Sequence, residues 1–192
     1  MPTTRASVGI AFGAGFALGL ALSPYARVRS AREVLETPHA FSELIRPSAD
    51  WGLFRRRLDR PLPLGGSSEA SEALWTYIDS FLRSPAYRLE LVLSQAPLDE
   101  VDRFRLNQGS AVGNLQVESL PTRAEVIFKY CAPGFNFRLY LATPSDREII
   151  FGFVDYSGSF ISSLGQRVYA YMCLVSTARK LDRGWIDKLH SS

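Results

Sequence analysis

The chain has 192 residues, 46% of them hydrophobic and 21% charged, with a formal net charge of +3. That length suits one domain plus a tail, the apolar content excludes a disordered polar chain, and two cysteines 42 positions apart exclude a disulfide scaffold. Several long apolar runs would be needed for a polytopic membrane protein, and they are missing.

Val8 to Leu22 is a run of fifteen residues without a polar side chain, with Arg5 before it and Arg27, Arg29 and Arg32 after it. A spanning helix needs about 20 apolar residues, with a lower limit near 17. Extension through Ser23 and Pro24 to Ala26 reaches only that lower end. Gly9 with Gly13, and Gly15 with Gly19, form two small-xxx-small pairs that suit close helix packing in a membrane. A secretory signal fits the apolar length, although Pro24 sits awkwardly at its small-residue end. An organellar presequence fits the Arg, Ser and Thr content and the absence of any acid before Glu33. A Gly/Ala-rich tail packed on the domain is the remaining alternative. Residues 1–32 are therefore expected to be a membrane anchor or targeting segment, meeting the membrane through residues 8–26. The expected location is membrane-associated, mitochondrial or otherwise organellar, rather than secreted.

Pro24 to Pro47 connects this segment to the body, with 33–47 as the connector proper, and Ser30–Glu36 in the middle of that stretch suits a short helix ended by Thr37-Pro38. The remaining 48–190 read as a single domain. A first strand is expected over Trp51–Leu58, bounded by Asp50 and by Pro61-Leu62-Pro63 and Gly65-Gly66. Ser67-Ser68-Glu69 suits a helix start, and Leu74, Tyr77, Ile78, Phe81 and Leu82 follow as one apolar stripe up to Ser84-Pro85. A second helix carries Tyr87, Leu91 and Val92. The period then changes from 3.6 to 2. Strands are expected in 111–119, 124–131, 135–143 and 148–156, with turns at Leu120-Pro121-Thr122, Ala132-Pro133-Gly134 and Pro144-Ser145-Asp146. Asp102–Leu106 is compatible with one more strand. Phe160, Leu164, Val168, Tyr171, Met172, Val175, Ala178 and Leu181 then recur at helical spacing, which predicts a long last helix ended by Gly184.

Strand, two helices, antiparallel meander and long helix make an α+β arrangement: a curved antiparallel sheet packed on a long C-terminal helix, with two helices inserted after the first strand. A helix laid across such a sheet leaves a cleft between the two. Its expected lining is Leu115, Val117, Phe128, Phe137, Leu139, Phe151 and Phe153, closed by Phe160, Leu164, Val168 and Met172.

The element order resembles the helix-grip fold of the START/polyketide-cyclase-like (SRPBCC) superfamily. Within it, residues 50–181 resemble a small family of uncharacterised domains. The resemblance rests on Asp50-Trp51-Gly52-Leu53-Phe54 leading through Leu62-Pro63 to Phe81-Leu82-Arg83-Ser84-Pro85. Asn107-Gln108-Gly109-Ser110-Ala111-Val112-Gly113, Glu125-Val126-Ile127, Asn136-Phe137-Arg138-Leu139 and Leu164-Gly165-Gln166-Arg167-Val168-Tyr169 complete it. It implies a helix-grip fold with a cavity for a hydrophobic ligand. Members tend to carry a histidine in the last helix, where this chain has Tyr171-Met172-Cys173-Leu174-Val175, so no role of that histidine transfers.

Few residues suit chemistry. His39 lies in the connector and His190 two residues from the end, so neither is held as a catalytic base needs to be. Cys131 and Cys173 are too few for a structural zinc site and read as small buried hydrophobes. No phosphate-binding glycine motif follows a strand. Arg55-Arg56-Arg57 with Arg60 could meet phosphate or acidic lipid, but alternation sets Arg56 opposite its neighbours, so the run reads as a solvated strand. Asp155 ends the face made by Ile149, Phe151 and Phe153, where it would act as an acid or base in a cleft or cap the turn at Tyr156-Ser157-Gly158. No catalytic residue, metal or cofactor is assigned, and nucleic acid is not expected as a partner. The leading expectation is a non-enzymatic domain that binds a hydrophobic small molecule or lipid. The alternatives are an accessory subunit of a membrane complex, docked through the glycine-faced helix, and a cyclase- or hydratase-like enzyme using Asp155 or Tyr130. Four of the 22 basic residues precede Glu33 and all 19 acidic ones follow Arg32, so residues 33–192 carry 18 basic against 19 acidic side chains, and the net positive charge belongs to the N-terminal segment.

Overall fold

In the computed structural model the described residues are 29–30, 37–62, 72–94, 100–131, 135–157 and 160–190, with side chains in the last helix described over 165–183. Among them the elements run β1 (Arg29–Ser30), α1 (His39–Ser42), β2 (Asp50–Arg57), α2 (Glu72–Leu82), α3 (Pro85–Ser94) and α4 (Glu100–Arg103). β3 (Ala111–Val112), β4 (Leu115–Thr122), β5 (Glu125–Tyr130), β6 (Phe137–Ser145), β7 (Glu148–Asp155) and α5 (Phe160–His190) follow. One open, curved antiparallel sheet has the order β1-β2-β7-β6-β5-β4-β3. The expected α+β class is observed, with α2 and α3 inserted after the first long strand and α5 packed on β7 and β2.

Period-2 alternation sorts the strands into two faces. On the inner face one cross-strand row runs Gly52, Phe153, Leu139, Phe128 and Val117, and the next runs Phe54, Phe151, Leu141 and Val126. Gly52 is needed in the first row because a Cβ there would stand 2.6 Å from the Phe153 ring. The α2 stripe Leu74, Tyr77, Ile78, Phe81 and Leu82 is buried against this face, as its spacing requires.

α5 packs differently from its predicted stripe. Its fully buried residues are Ala170, Cys173, Leu174, Thr177 and Ala178, whereas Val168, Tyr171, Met172 and Val175 are only half-buried. The inner sheet face is already filled with phenylalanine rings, so the helix turns its smaller side chains toward it at constant packing density. Gly184 does not end α5, which continues to His190. A glycine inside a helix costs about 1 kcal/mol relative to alanine and does not by itself stop one.

The other face of the sheet is covered too, which the alternation did not predict. Tyr140, Ala142, Ile127, Ile150 and Val154 form a second buried cluster with Leu53 and with Ala40 and Phe41 of α1. The C-terminal part of the expected connector therefore belongs to the folded domain. Phe41 fits because Gly152 faces it: a Cβ there would lie 2.7 Å from the Phe41 ring. That ring also meets Tyr140 at 5.3 Å and Trp51 at 6.0 Å between centroids.

Other expectations shift locally. Asp102–Leu106 is no strand: α4 ends at Arg103, and Val101 and Phe104, three apart, are both buried. The turns expected at Leu120-Pro121-Thr122 and Pro144-Ser145-Asp146 fall later, at 123–124 and 146–147. Both prolines lie inside strands, where the register shifts between Ser119 and Thr122 and between Ala142 and Ser145. Such irregularities are where a strand tolerates a missing N–H. Arg29 and Ser30 form a short strand against Arg55 and Phe54, while residues 31–36 and the helix start at Ser67-Ser68-Glu69 lie outside the described residues. Cys131 is exposed rather than buried, because β5 ends one residue before it. Phe135 is 52% exposed ahead of β6 instead of joining the inner face. Residues 8–26 lie outside the described residues, and no described helix is long and apolar enough to cross a membrane.

Candidate functional site

Seven of the expected lining residues, Leu115, Val117, Phe128, Phe137, Leu139, Phe151 and Phe153, are buried together in one cluster with α2, α3 and α5. They pack against one another and against the helices. Met172 packs on the edge of that cluster and Val168 is half-buried beside Arg167, while the side chains of Phe160 and Leu164 lie outside the described residues. Two open hollows of about 400 Å³ each lie elsewhere, one around Arg57 and Asp146 and one around Glu100 and Phe104.

Within this apolar layer sits one carboxyl group. Tyr87 and Glu90 stand three residues apart on α3, so they share a face. Tyr169 and Cys173 stand four apart on α5 and share the face toward them, and Tyr130 reaches in from the end of β5. The Tyr169 hydroxyl donates to Glu90 Oε2. Asn114, in the turn between β3 and β4, donates from Nδ2 to the Tyr130 hydroxyl at 3.2 Å. The Tyr87 hydroxyl donates to the Val112 carbonyl at 2.8 Å. The Tyr130 hydroxyl, which accepts from Asn114, is also hydrogen-bonded to the buried Glu90 carboxyl.

Burial holds the Glu90 carboxyl above the usual carboxylate range, and the neighbouring Tyr169 and Tyr130 hydroxyls offset only part of that. Burial first, and then the nearby carboxyl, push the Tyr87 and Tyr130 phenols up. Tyr169 and the Cys173 thiol are likewise raised by burial. Among the described residues no cation acts on Glu90. The site is thus one buried carboxyl group held by two phenols. An aromatic path links it to the surface: Tyr130 stacks on Phe137 at 4.2 Å and meets the half-exposed Phe135 edge-on at 5.7 Å.

The sign of the Glu90 shift gives a test. A carboxyl whose folded pKa exceeds its unfolded value stabilises the fold fully below the unfolded pKa, and that contribution is lost as pH rises through the folded pKa. Glu90→Gln removes this loss. Urea unfolding between pH 4 and 8 is expected to show the variant gaining on the wild type as pH rises above the ordinary carboxylate range, then levelling off. Parallel pH profiles for the two proteins would show that Glu90 is not desolvated.

The other sequence candidates have structural roles. Asp155 is buried at the end of β7 and accepts from the Ser157 N–H at 2.8 Å, which is the turn-capping arrangement. The arginine run divides as alternation requires. Arg55 pairs with Glu148 at 3.0 Å, Arg57 is exposed, and Arg56 lies near Asp182 of α5. His39 is exposed beside Glu43 at 3.5 Å. Arg167 ties α5 to the sheet through Asp50 at 2.6 Å and the Trp51 carbonyl at 3.2 Å. Among the described residues no group of three or more His, Cys, Asp or Glu side chains could hold a metal ion. Glu90, Tyr87, Tyr169 and Asn114 were not singled out from the sequence. Spacing held the signal for Glu90, which follows Tyr87 by three and precedes Leu91 by one, and so lies on the buried side of its helix.

No family model, curated protein or solved structure matches the chain.

Proposed function

We propose that this chain is a membrane-tethered or organelle-targeted member of the helix-grip START/polyketide-cyclase-like superfamily. In this reading it binds a hydrophobic small molecule or lipid, without catalysis, between the sheet and α5. Residues 8–26 supply the membrane attachment. The observation that carries the binding reading is the Glu90 carboxyl, buried among the Tyr87, Tyr130 and Tyr169 phenols, with no described cation acting on it, at the inner end of the aromatic path from Phe135. Burying a carboxyl without a counter-charge is costly to the fold, and a ligand's polar end explains it better than packing alone. The ligand places its polar end at Glu90 and its apolar part along Tyr130 and Phe135.

The test uses the full chain, purified in mild detergent, with native mass spectrometry before and after organic extraction. One retained small molecule per chain is expected. A chain that carries nothing, and whose unfolding temperature does not respond to added lipid extract, would overturn the reading in favour of a subunit that works by contact alone. A second reading, a cyclase- or hydratase-like enzyme, draws support from the same carboxyl beside Tyr130, since a raised carboxyl next to a phenol suits proton transfer. Consumption of the extracted molecule by the purified protein would favour it.

A further inference from the structure

We propose that the end of the sheet carrying Arg57, Arg123 and Arg147 rests on an anionic lipid surface. This rests on the membrane attachment proposed above and adds which end of the domain meets the lipid and which lipid charge it favours.

The register of β1 fixes where the chain enters the domain. Arg29 pairs with Arg55 and Ser30 with Phe54, antiparallel, so the N-terminal end of β1 is the one nearer Arg57. Only two residues separate Ala26 from Arg29, a reach of at most about 11 Å. The segment 8–26 therefore joins the domain at this end. The β4–β5 turn at 123–124 and the β6–β7 turn at 146–147 lie there too, since Glu125 pairs with Ala142, Ser145 with Glu148 and Glu148 with Arg57.

The end of β2 and the two turns each present an exposed arginine: Arg57, Arg123 and Arg147. Most acids at this end are engaged within the fold. Glu148 pairs with Arg55 at 3.0 Å, Glu125 accepts from the Tyr140 hydroxyl and Asp182 accepts from the Asp59 N–H at 3.1 Å, which leaves Asp59 and Asp146. Arg57 and Arg147 also border the open hollow of about 400 Å³, shared with Ser145, Asp146 and Glu148, which gives a headgroup phosphate room between two guanidinium groups. At the opposite end of the same strand pair the facing residues are both acidic, Asp50 and Asp155. The sheet is polarised in charge along its strands, and its basic end is the one at which residues 8–26 join it. Basic side chains beside a membrane segment are drawn to the negative surface of an anionic leaflet over about one screening length.

The test titrates the full chain, diluted from mild detergent, with vesicles of phosphatidylcholine alone or of phosphatidylcholine mixed with phosphatidylglycerol, and reads binding by flotation. The mixed vesicles are expected to hold the chain more tightly, and added salt to weaken that preference. Each basic side chain at such a surface corresponds to about fivefold in partitioning, so Arg57→Gln combined with Arg147→Gln is expected to lose about 25-fold of the preference. Arg57→Lys combined with Arg147→Lys keeps both charges and is expected to retain it. Lys129→Gln, which removes an exposed charge near the other end of β5, is expected to retain it as well. An unchanged urea midpoint checks that each variant keeps the fold. Equal binding to both vesicles, an undiminished preference in the glutamine pair, or an equal loss in Lys129→Gln would overturn the orientation and leave the membrane attachment intact. Binding to neither kind of vesicle would overturn both.

Discussion

Phe41→Ala is expected to lower the unfolding free energy by about 3–5 kcal/mol, the range for truncating a fully buried aromatic side chain. Phe41 is completely buried although it comes from a helix of only four residues. Its ring lies in the notch left by Gly152, between Trp51 and Tyr140, on the face of the sheet turned away from α5. The other anchors of residues 37–49 are smaller: Ala40 is buried beside Phe41 and the Arg46 guanidinium lies 5.1 Å from the Tyr156 ring centre. Leu44, Ile45 and Ala49 are only partly buried, and the Tyr156 hydroxyl bond to the Leu44 carbonyl, at 2.8 Å, is a single neutral contact. Urea unfolding followed by tryptophan fluorescence measures the loss, with Trp51 reporting locally. A loss below about 1 kcal/mol would mean that the segment is an ornament on the sheet rather than part of its core.

One residue from that notch, on the opposite face, Phe151→Ala is expected to lose a comparable 3–5 kcal/mol or so. Its ring is fully buried, 5.6 Å from Phe81 of α2 and 6.4 Å from Tyr169 of α5, both edge-on, and it lies between Phe54 and Leu141 in its cross-strand row. Removing it opens space beneath the residue that holds Glu90, so the pH-dependent difference attributed to that carboxyl should shrink as water gains access. The size of the loss separates two views of the inner face. A core residue gives the full cavity penalty, while a residue bordering an open cleft gives much less because it had fewer contacts to lose. A loss near 1 kcal/mol, with unchanged cooperativity, would show that the ring faces open space.

The sheet was legible because its strands obey one simple rule. In β6 the residues Phe137, Leu139 and Leu141 point one way, and the same rule puts Val117, Phe128 and Leu139 on one face, where the structure pairs them as neighbours. α2 was legible for the parallel reason that five apolar residues fall on one stripe. The covered outer face was harder. A four-residue helix has no period to detect, and its partner signal lay elsewhere, in the unbroken apolar run from Ile149 to Val154, which marks a strand buried on both sides. Glu90 was missed because an acid on a helix is read as solvated by default. Only its position relative to Tyr87 and Leu91 argued otherwise. The orientation of α5 depended on what its partner face already held. No stripe within the helix could report that, and the smaller residues won over Val168 and Met172.

The pairing of β2 with β7 also has a consequence in time. Asp50 finds its partner at Asp155, whereas β4 to β7 are joined in sequence by short turns and can close on one another as soon as they exist. Loop closure over such a separation is slow compared with a hairpin, and synthesis delays it further, because the partner strand has not yet been made. β2 therefore lacks its β7 partner until most of the chain has emerged. The meander is expected to pair first, with β2 joining it at β7 afterwards. Any factor that must engage the start of the chain before it folds has that interval in which to act.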